Sequence, residues 1–333
     1  MKNIIFYTIL FFLIWHCSIN QVFAFIDKGD FDEIKRQLNE EDFQTKIQAM
    51  RKIQKSGLSL EDVSQLLETA VSSDDIRIQL FAFRILYEHG DKSIIDQLFS
   101  YLSDPLVGQN TKLRIIYFIK GLKDESIIYR LKPLIFDEQD DIVRIGMLNV
   151  FFSITPLESA EEKLVQIIKT YLKEGSRENK LKILDFISGQ RENAIPLLKI
   201  AFDDEDMLVK EKAFDTISHM DTVDVSKIIG PYVKKKDKVS VYNAAFILGM
   251  RGEKSYFRFI TNDLQSKDKA VRGGAIDFLF RRLGKGGEEA FLKIIKRISE
   301  GDEDEEIREK AAQYIKYWNQ IGRSSLPLNR QKE

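Results

Sequence analysis

The sequence is poor in cysteine, histidine and proline, with one, three and six of them among its 333 residues. A single cysteine, Cys17, excludes a disulfide framework within the chain. Outside the first 24 residues the only histidines are His89 and His219, which lie far apart in the sequence. Because a zinc or catalytic site draws several such side chains together, we expect no metal, no cofactor and no catalytic residue.

Linkers, phosphate-binding loops and an excess of one charge are also missing. No glycine- or serine-rich stretch divides the chain, which predicts one continuous body. The turn Leu283–Gly287 lacks the spacing of a phosphate-binding loop. Basic and acidic side chains number 51 and 52, so no overall field favours nucleic acid or an anionic membrane, and neither is expected as a partner.

The first 24 residues differ from the rest of the chain. Lys2 precedes an apolar run, Ile4–Trp15, and Val22–Ala24 carries small or aliphatic residues where a signal peptidase requires them. The run is shorter than the ~20 residues that span a membrane, which disfavours an uncleaved anchor. A lipoprotein modified at Cys17 is the other alternative, but no small residue precedes that cysteine. We predict a signal peptide over residues 1–24, cleaved near Ala24. The mature chain is then periplasmic or secreted and has no transmembrane segment.

From Phe25 onward, apolar residues recur at helical spacing and short polar turns interrupt them. The segment Asp268–Ile276 contains the clearest pattern: an acidic residue, an aliphatic residue three positions later, a cation, and small or apolar residues one helical turn further on. Close copies occupy residues 206–214 and 304–312. The apolar positions share one helix face, and another amphipathic segment precedes each copy, so the pattern predicts pairs of helices.

Aligned on the aliphatic position, the chain contains nine copies of this pattern. The aligned residues are Phe43, Ile76, Leu113, Val143, Asn179, Val209, Val241, Val271 and Ile307. One helix pair cannot bury its own apolar face, whereas stacked pairs bury a continuous one. We therefore predict an all-α protein, a superhelical solenoid of about nine helix pairs over residues 25–319, followed by a flexible tail at residues 320–333.

Helix pairs of this length, with Asp-x-x-Val-Arg-x-x-Ala at the start of the second helix, resemble HEAT repeats of the short bacterial type within the armadillo-type folds. The match is strongest at Val209, Val271 and Ile307. Armadillo repeats are the near alternative, while the signature residues of tetratricopeptide repeats are missing.

The resemblance implies a ladder of hydrogen bonds between acidic and basic side chains of neighbouring helix pairs. Carried over by motif, its acidic members are Asp75, Asp141, Asp206, Asp268 and Asp304, and its basic members are Arg77, Arg144, Lys210, Arg272 and Arg308. Tyr242 occupies the position of the cation in one pair, so the bond to the next pair is expected to be missing there.

Three acidic runs precede second helices, at residues 137–141, 203–206 and 302–306. The last resembles the beginning of a calcium loop, but Ile307 occupies the position that requires glycine. Carboxylates at the start of a helix accept hydrogen bonds from its free amides. We therefore predict that these runs cap helices.

Cations outnumber acids between Lys267 and Arg297, which makes this segment a candidate surface for an anionic partner. The candidate residues are Lys267, Lys269, Arg281, Arg282, Lys285, Lys293, Lys296 and Arg297. Arg281 and Arg282 also end a helix, where cations are favoured whatever they bind.

Stacked helix pairs present a long concave surface, lined by the second helices. The sequence therefore predicts an exported, non-catalytic scaffold that binds a protein or peptide partner on this surface. The alternative comes from the resemblance, because some proteins with related repeats are lyases of bilin chromophores or DNA base-excision enzymes. A wide surface of mixed charge would favour the scaffold. A narrow pocket with convergent aspartate, arginine and aromatic side chains would favour a ligand-processing enzyme.

Overall fold

The computed structural model describes residues 28–324, with gaps at residues 222, 285, 286 and 288. Within these ranges the regular elements are helices and no strand forms, which confirms the predicted all-α class. The predicted signal peptide, residues 1–24, lies outside the described residues, and so do residues 325–333. Residues 320–324 of the predicted tail belong to the last helix.

The chain divides between Ile154 and Thr155 into two compact units, called unit 1 and unit 2 below. A helix ends at Ile154 because Pro156 has no amide hydrogen and disfavours helical backbone in the residue before it. The helices of unit 1 are α1 (Lys28–Asn39), α2 (Phe43–Gln54), α3 (Leu60–Val71), α4 (Ile76–Glu88), α5 (Ile94–Ser103), α6 (Gln109–Leu122), α7 (Ile127–Asp137) and α8 (Asp141–Ile154).

Unit 2 combines α-helices with short 3-10 helices. Its α-helices are α9 (Glu162–Glu174), α10 (Arg177–Ile187), α11 (Ile195–Phe202), α12 (Met207–Ser218), α13 (Val225–Ile229), α14 (Lys238–Met250), α15 (Arg258–Leu264), α16 (Lys269–Arg281), α17 (Glu289–Gly301) and α18 (Glu305–Ser324). The 3-10 helices are Leu157–Ser159, Ser188–Ala194, Gly230–Lys234 and Lys254–Phe257.

Alternate helices contact each other within each unit. In unit 1, α2 packs on α4, α4 on α6 and α6 on α8; in unit 2, α10 packs on α12, α12 on α14, α14 on α16 and α16 on α18. We call these even-numbered helices the second helices. The apolar side chains that they turn toward the odd-numbered helices form the core, where Phe83, Phe214 and Phe278 are fully buried.

The helix α14 is buried around its whole circumference rather than on one face. Every residue from Ser240 to Gly249 is buried, including Asn243, which has no exposed surface. A helix with this pattern must be covered on several sides. The side chains that cover α14 include those of α12 and of the end of α16, and polar groups of these two helices bond each other there.

Candidate functional site

The acidic residues of the predicted ladder lie at the starts of second helices. Four of the five accept backbone amide hydrogen bonds there: Asp75, Asp206, Asp268 and Asp304. The fifth, Asp141, is already the first residue of α8. Asp140 is the capping residue instead, and it accepts from the amides of Ile142 at 2.9 Å and Val143 at 3.0 Å. The acidic runs therefore cap helices as predicted, but one cap lies a residue earlier than the motif indicated.

The basic residues divide into those that reach the next helix pair and those that bond within their own. Lys210 of α12 donates to Asp237 at 2.6 Å, and Arg272 of α16 donates to Asp302 at 2.8 Å. The remaining three bond locally: Arg77 with Asp75, Arg144 with Asp141, and Arg308 with the carbonyl oxygen of Asp302. Lys210 and Arg272 thus link neighbouring helix pairs.

Arg272 makes the most buried of these links. Its side chain is 6 % exposed and that of Asp302 is 7 % exposed. Nη1 of the same guanidinium donates to the carbonyl oxygens of Ser266 at 2.7 Å and Lys267 at 3.0 Å. One side chain therefore fixes the loop before its own helix and the loop before the next second helix.

Further links between neighbouring helix pairs escaped the sequence pattern, among them the following three. Lys112 donates to Glu138 at 2.9 Å and Lys180 to Asp204 at 2.6 Å, in both cases with the two side chains mostly buried. The third lies where the motif lacks its cation: the hydroxyl of Tyr242 donates to Asp263 at 2.8 Å and links the two helix pairs in place of a salt bridge. Burial, and then the hydrogen bond to Asp263, raise the pKa of Tyr242 above its ordinary value, so the hydroxyl stays protonated and donates.

Acid is expected to weaken these carboxylate contacts, and Asp237 allows a direct test. Burial raises the pKa of Asp237, but hydrogen bonds from Lys210 and Ser240 outweigh burial and hold the pKa below its ordinary value of 3.8. A lowered folded-state pKa gives stability that is complete above the unfolded-state pKa and is lost as the pH falls through the folded one. Asp237→Asn should therefore lower the melting temperature at pH 7 and reduce the further loss between about pH 5 and pH 2.

Differential scanning calorimetry across this pH range measures both effects. Asp221→Asn is the matched control because Asp221 belongs to the same unit and its side chain is 96 % exposed. Its profile should run parallel to that of the wild type. If the Asp237→Asn profile is also parallel to that of the wild type, the charge of Asp237 does not stabilise the folded protein.

The residues predicted to form a surface for an anionic partner have different surroundings in the described part of the chain. Lys269 pairs with Asp304 at 3.0 Å, and Lys285 lies outside the described residues. Arg281 and Arg282 pair with Glu211 and Asp215 of α12. The remaining members are exposed along α17 and in the loop before α16: Lys293, Lys296, Arg297 and Lys267. Two of the predicted surface cations thus belong to a contact between second helices.

Arg282 lies at the centre of that contact and is buried, at 3 % exposure, rather than at the surface. Its two terminal nitrogens donate to Asp215 and to the side-chain oxygen of Asn243. The guanidinium carbon lies 5.9 Å and 5.5 Å from the ring centroids of Phe246 and Phe278. Arg282, a cation at the end of α16, therefore also provides a hydrogen-bond donor for the buried side chain of Asn243 on α14.

Two cavities open beside this cluster in unit 2. One of about 430 Å³ is lined by residues that include Phe246, Met250 and Arg282, and the other, of about 620 Å³, by residues that include Arg191 and Lys212. Asp215 and His219 line both cavities. Aspartate, arginine and aromatic groups do converge here. Both terminal nitrogens of Arg282 are already bonded to protein oxygens, however, so the cluster offers a ligand few free donors.

The strongest candidate for a binding surface lies in unit 1, on α4 and α6. Tyr117 of α6 is 68 % exposed, although the residues directly before and after it in this second helix are buried. Arg114 and Gly121 share its helix face, at spacings of three and four residues. Nη2 of Arg84, on α4, would lie 3.2 Å from a Cβ added at Gly121. We call Arg84, Arg114, Tyr117 and Lys120 the Tyr117 surface.

The cations of the Tyr117 surface have few protein partners. Lys120 donates to the amide oxygen of Asn149 at 3.0 Å, and the guanidinium of Arg84 lies 5.4 Å from the centroid of the Phe118 ring. In the described part of the chain, no carboxylate lies within ion-pair distance of Arg84, Arg114 or Lys120. Sequence analysis missed this surface because Arg114 and Tyr117 follow Leu113 at the positions where the repeat pattern has a cation and an apolar residue.

The histidines of the described residues serve as helix caps. His89 and His219 end α4 and α12, and Nδ1 of each lies within 2.8 Å of a carbonyl oxygen of its own helix. No group of three or more histidine, cysteine, aspartate or glutamate side chains in the described ranges could hold a metal ion. Across the same residues, no helix combines the length and apolar character needed to cross a membrane.

In comparisons with known proteins, no protein-family model matches the chain and no curated protein sequence matches it significantly.

Proposed function

We propose that the protein is an exported, non-catalytic scaffold, built as a solenoid of helix pairs, that binds a protein or peptide partner on the concave face formed by its second helices. The export step rests on the apolar run and the cleavage pattern of residues 1–24. Mass spectrometry of the protein recovered from cells should find a chain that begins at Phe25, and an intact Met1 in the cytoplasmic fraction would contradict export.

The Tyr117 surface is the observation that carries the binding proposal. An exposed tyrosine flanked by arginines without carboxylate partners is the composition typical of residues that dominate protein–protein interfaces. A tyrosine on a second helix would normally pack in the core or face a neighbouring helix. Its exposure here leaves an amphipathic ring and two guanidinium groups available to a partner.

The ligand-processing alternative has one observation in its favour, the convergence of Asp215, Arg282 and Phe246 beside a cavity in unit 2. Catalytic groups must reach a substrate, and their donors must be free to bind it. Arg282 is instead buried and bonded through both terminal nitrogens, which is the arrangement of a structural cluster. The scaffold therefore accounts better for the geometry.

Site-specific photocrosslinking tests the scaffold at the Tyr117 surface. Tyr117→p-benzoylphenylalanine should form a covalent adduct with the partner in the exported fraction of cells. Tyr129 provides a matched control, because it is 84 % exposed in the same unit but lies on α7, which is not a second helix. The same substitution at Tyr129 should give no comparable adduct. Equal adducts at both positions, or none at position 117, would overturn the proposed binding face.

A further inference from the structure

We infer that the Tyr117 surface selects an acidic peptide segment with an apolar side chain between its carboxylates. This inference rests on the proposed scaffold function and names the chemistry of its partner. It follows from the local charge, from the orientation of Arg84 and from the spacing of the two arginines.

The local charge favours an anionic partner. Of three carboxylates on neighbouring parts of the unit, Asp75 is neutralised by its ion pair with Arg77, while Glu88 and Asp124 accept from the uncharged Gln54 and Tyr87 side chains and keep their charge. The hydrogen bond from Arg77 is the main reason that the pKa of Asp75 is lowered, and Arg114 adds a smaller effect through space. Arg84, Arg114 and Lys120 outnumber the two carboxylates that keep their charge, which leaves a small positive excess in a chain whose total charge is close to zero.

Arg84 is oriented before any partner arrives. Its guanidinium carbon lies 5.4 Å from the centroid of the Phe118 ring, and its Nη2 would lie 3.2 Å from a Cβ at Gly121. A cation–π contact of this kind restricts a guanidinium while leaving donors free for a carboxylate. An arginine restricted in this way loses less conformational entropy when it binds.

The spacing of the cations sets the pattern of the partner. Arg114 and Gly121 are seven residues apart on α6, which is roughly 10 Å along the helix axis. Alternate side chains of an extended peptide share one face, and the chain rises about 3.3 Å per residue, so residues four positions apart lie on one face about 13 Å apart. Two acidic residues four positions apart can therefore reach the long side chains of Arg114 and Arg84, with the apolar residue midway between them packed on the exposed ring of Tyr117.

Fluorescence anisotropy with designed peptides tests the inference on the full mature chain. The probe is a fluorescein-labelled 12-residue peptide with two glutamates four positions apart and a leucine midway between them. Its comparisons replace both glutamates with glutamine or with lysine. The glutamate peptide should bind at least about tenfold more tightly than the glutamine peptide, and high salt should reduce the difference.

Charge reversal supplies the specific control. Arg84→Glu combined with Arg114→Glu should remove binding of the glutamate peptide and favour the lysine peptide. Lys293→Glu, which reverses an exposed cation of unit 2, should leave both affinities unchanged. Because both arginines lie at the surface and have no ion-pair partner, circular dichroism should find the doubly reversed variant as helical as the wild type.

The outcomes separate this inference from the proposed function. If the crosslink at position 117 forms but the adduct peptide carries no acidic residues, or if the glutamine peptide binds equally well, the acidic preference is wrong and the scaffold stands. If a single-stranded oligonucleotide binds more tightly than the glutamate peptide and loses binding on charge reversal, the partner is a nucleic acid and the inference fails. If neither an adduct nor peptide binding occurs, both proposals fail.

Discussion

Replacing Arg282 with alanine is expected to destabilise unit 2 by about 3–5 kcal/mol, the cost typical of removing one partner from a buried ion pair. The substitution leaves the side-chain oxygen of Asn243, which has no exposed surface, without its guanidinium donor. It also leaves Asp215 partly buried without its cation and opens space beside Phe246 and Phe278. Each of these effects acts in the same direction.

Urea unfolding followed by circular dichroism at pH 7 measures this change. Arg297→Ala is the control, since Arg297 is exposed on α17 and donates to the side-chain oxygen of Gln265, and it should cost within about 0.5 kcal/mol. Arg282→Met keeps much of the volume and removes the charge, so it separates lost packing from lost hydrogen bonds. If Arg282→Ala and Arg297→Ala have the same midpoint, the buried cluster does not contribute to stability.

Gly249→Ala is expected to cost about 1–3 kcal/mol, although alanine normally favours a helix more than glycine does. A Cβ at Gly249 would lie 2.3 Å to 2.7 Å from ring atoms of Phe257. That ring is held in turn by Phe291, whose centroid is 5.0 Å away, and by Phe246 at 6.3 Å. The added methyl group must displace an aromatic cluster rather than one flexible side chain.

The helix α16 contains a matched site for the opposite result. A Cβ at Gly274 would meet no heavy atom within 4 Å, and the residue is exposed. Gly274→Ala should therefore stabilise the protein by roughly 0.5–1 kcal/mol through the lower conformational entropy of the unfolded chain. Thermal melts of the two variants should lie on opposite sides of the wild type. Two variants that shift the melt in the same direction would contradict the packing around Gly249.

The helical class and most helix caps could be predicted from the sequence, because they depend on local chemistry. Apolar spacing identifies helices, and a carboxylate just before such a segment accepts its free amides. The miss at Asp141 is of the same local kind: Asp140 and Asp141 are both suitable caps, and only the backbone decides which one precedes the first turn.

The interactions between helices could not be predicted in the same way, since they depend on which helix faces meet. Arg282 looks like a surface cation at a helix end, and its burial becomes clear only when Asp215 and Asn243 are placed beside it. Tyr242 lacks the charge of the motif, yet its hydroxyl reaches Asp263. Tyr117 occupies a position that the repeat pattern assigns to apolar core residues, and only the arrangement of α4, α6 and α8 leaves it exposed.

The two ion pairs that join α12 to α16 have a consequence for the local dynamics of unit 2. They connect residues 70 and 67 positions apart, and Arg282 of the second pair also donates to Asn243 of α14. In a linear array each repeat can open with only its neighbours disturbed. With α12 and α16 tied to each other, we expect the backbone amides of α14 to reach solvent only when the three second helices separate together. Hydrogen–deuterium exchange in Ser240–Gly249 should therefore be the slowest in unit 2 and should report its global opening rather than local fraying.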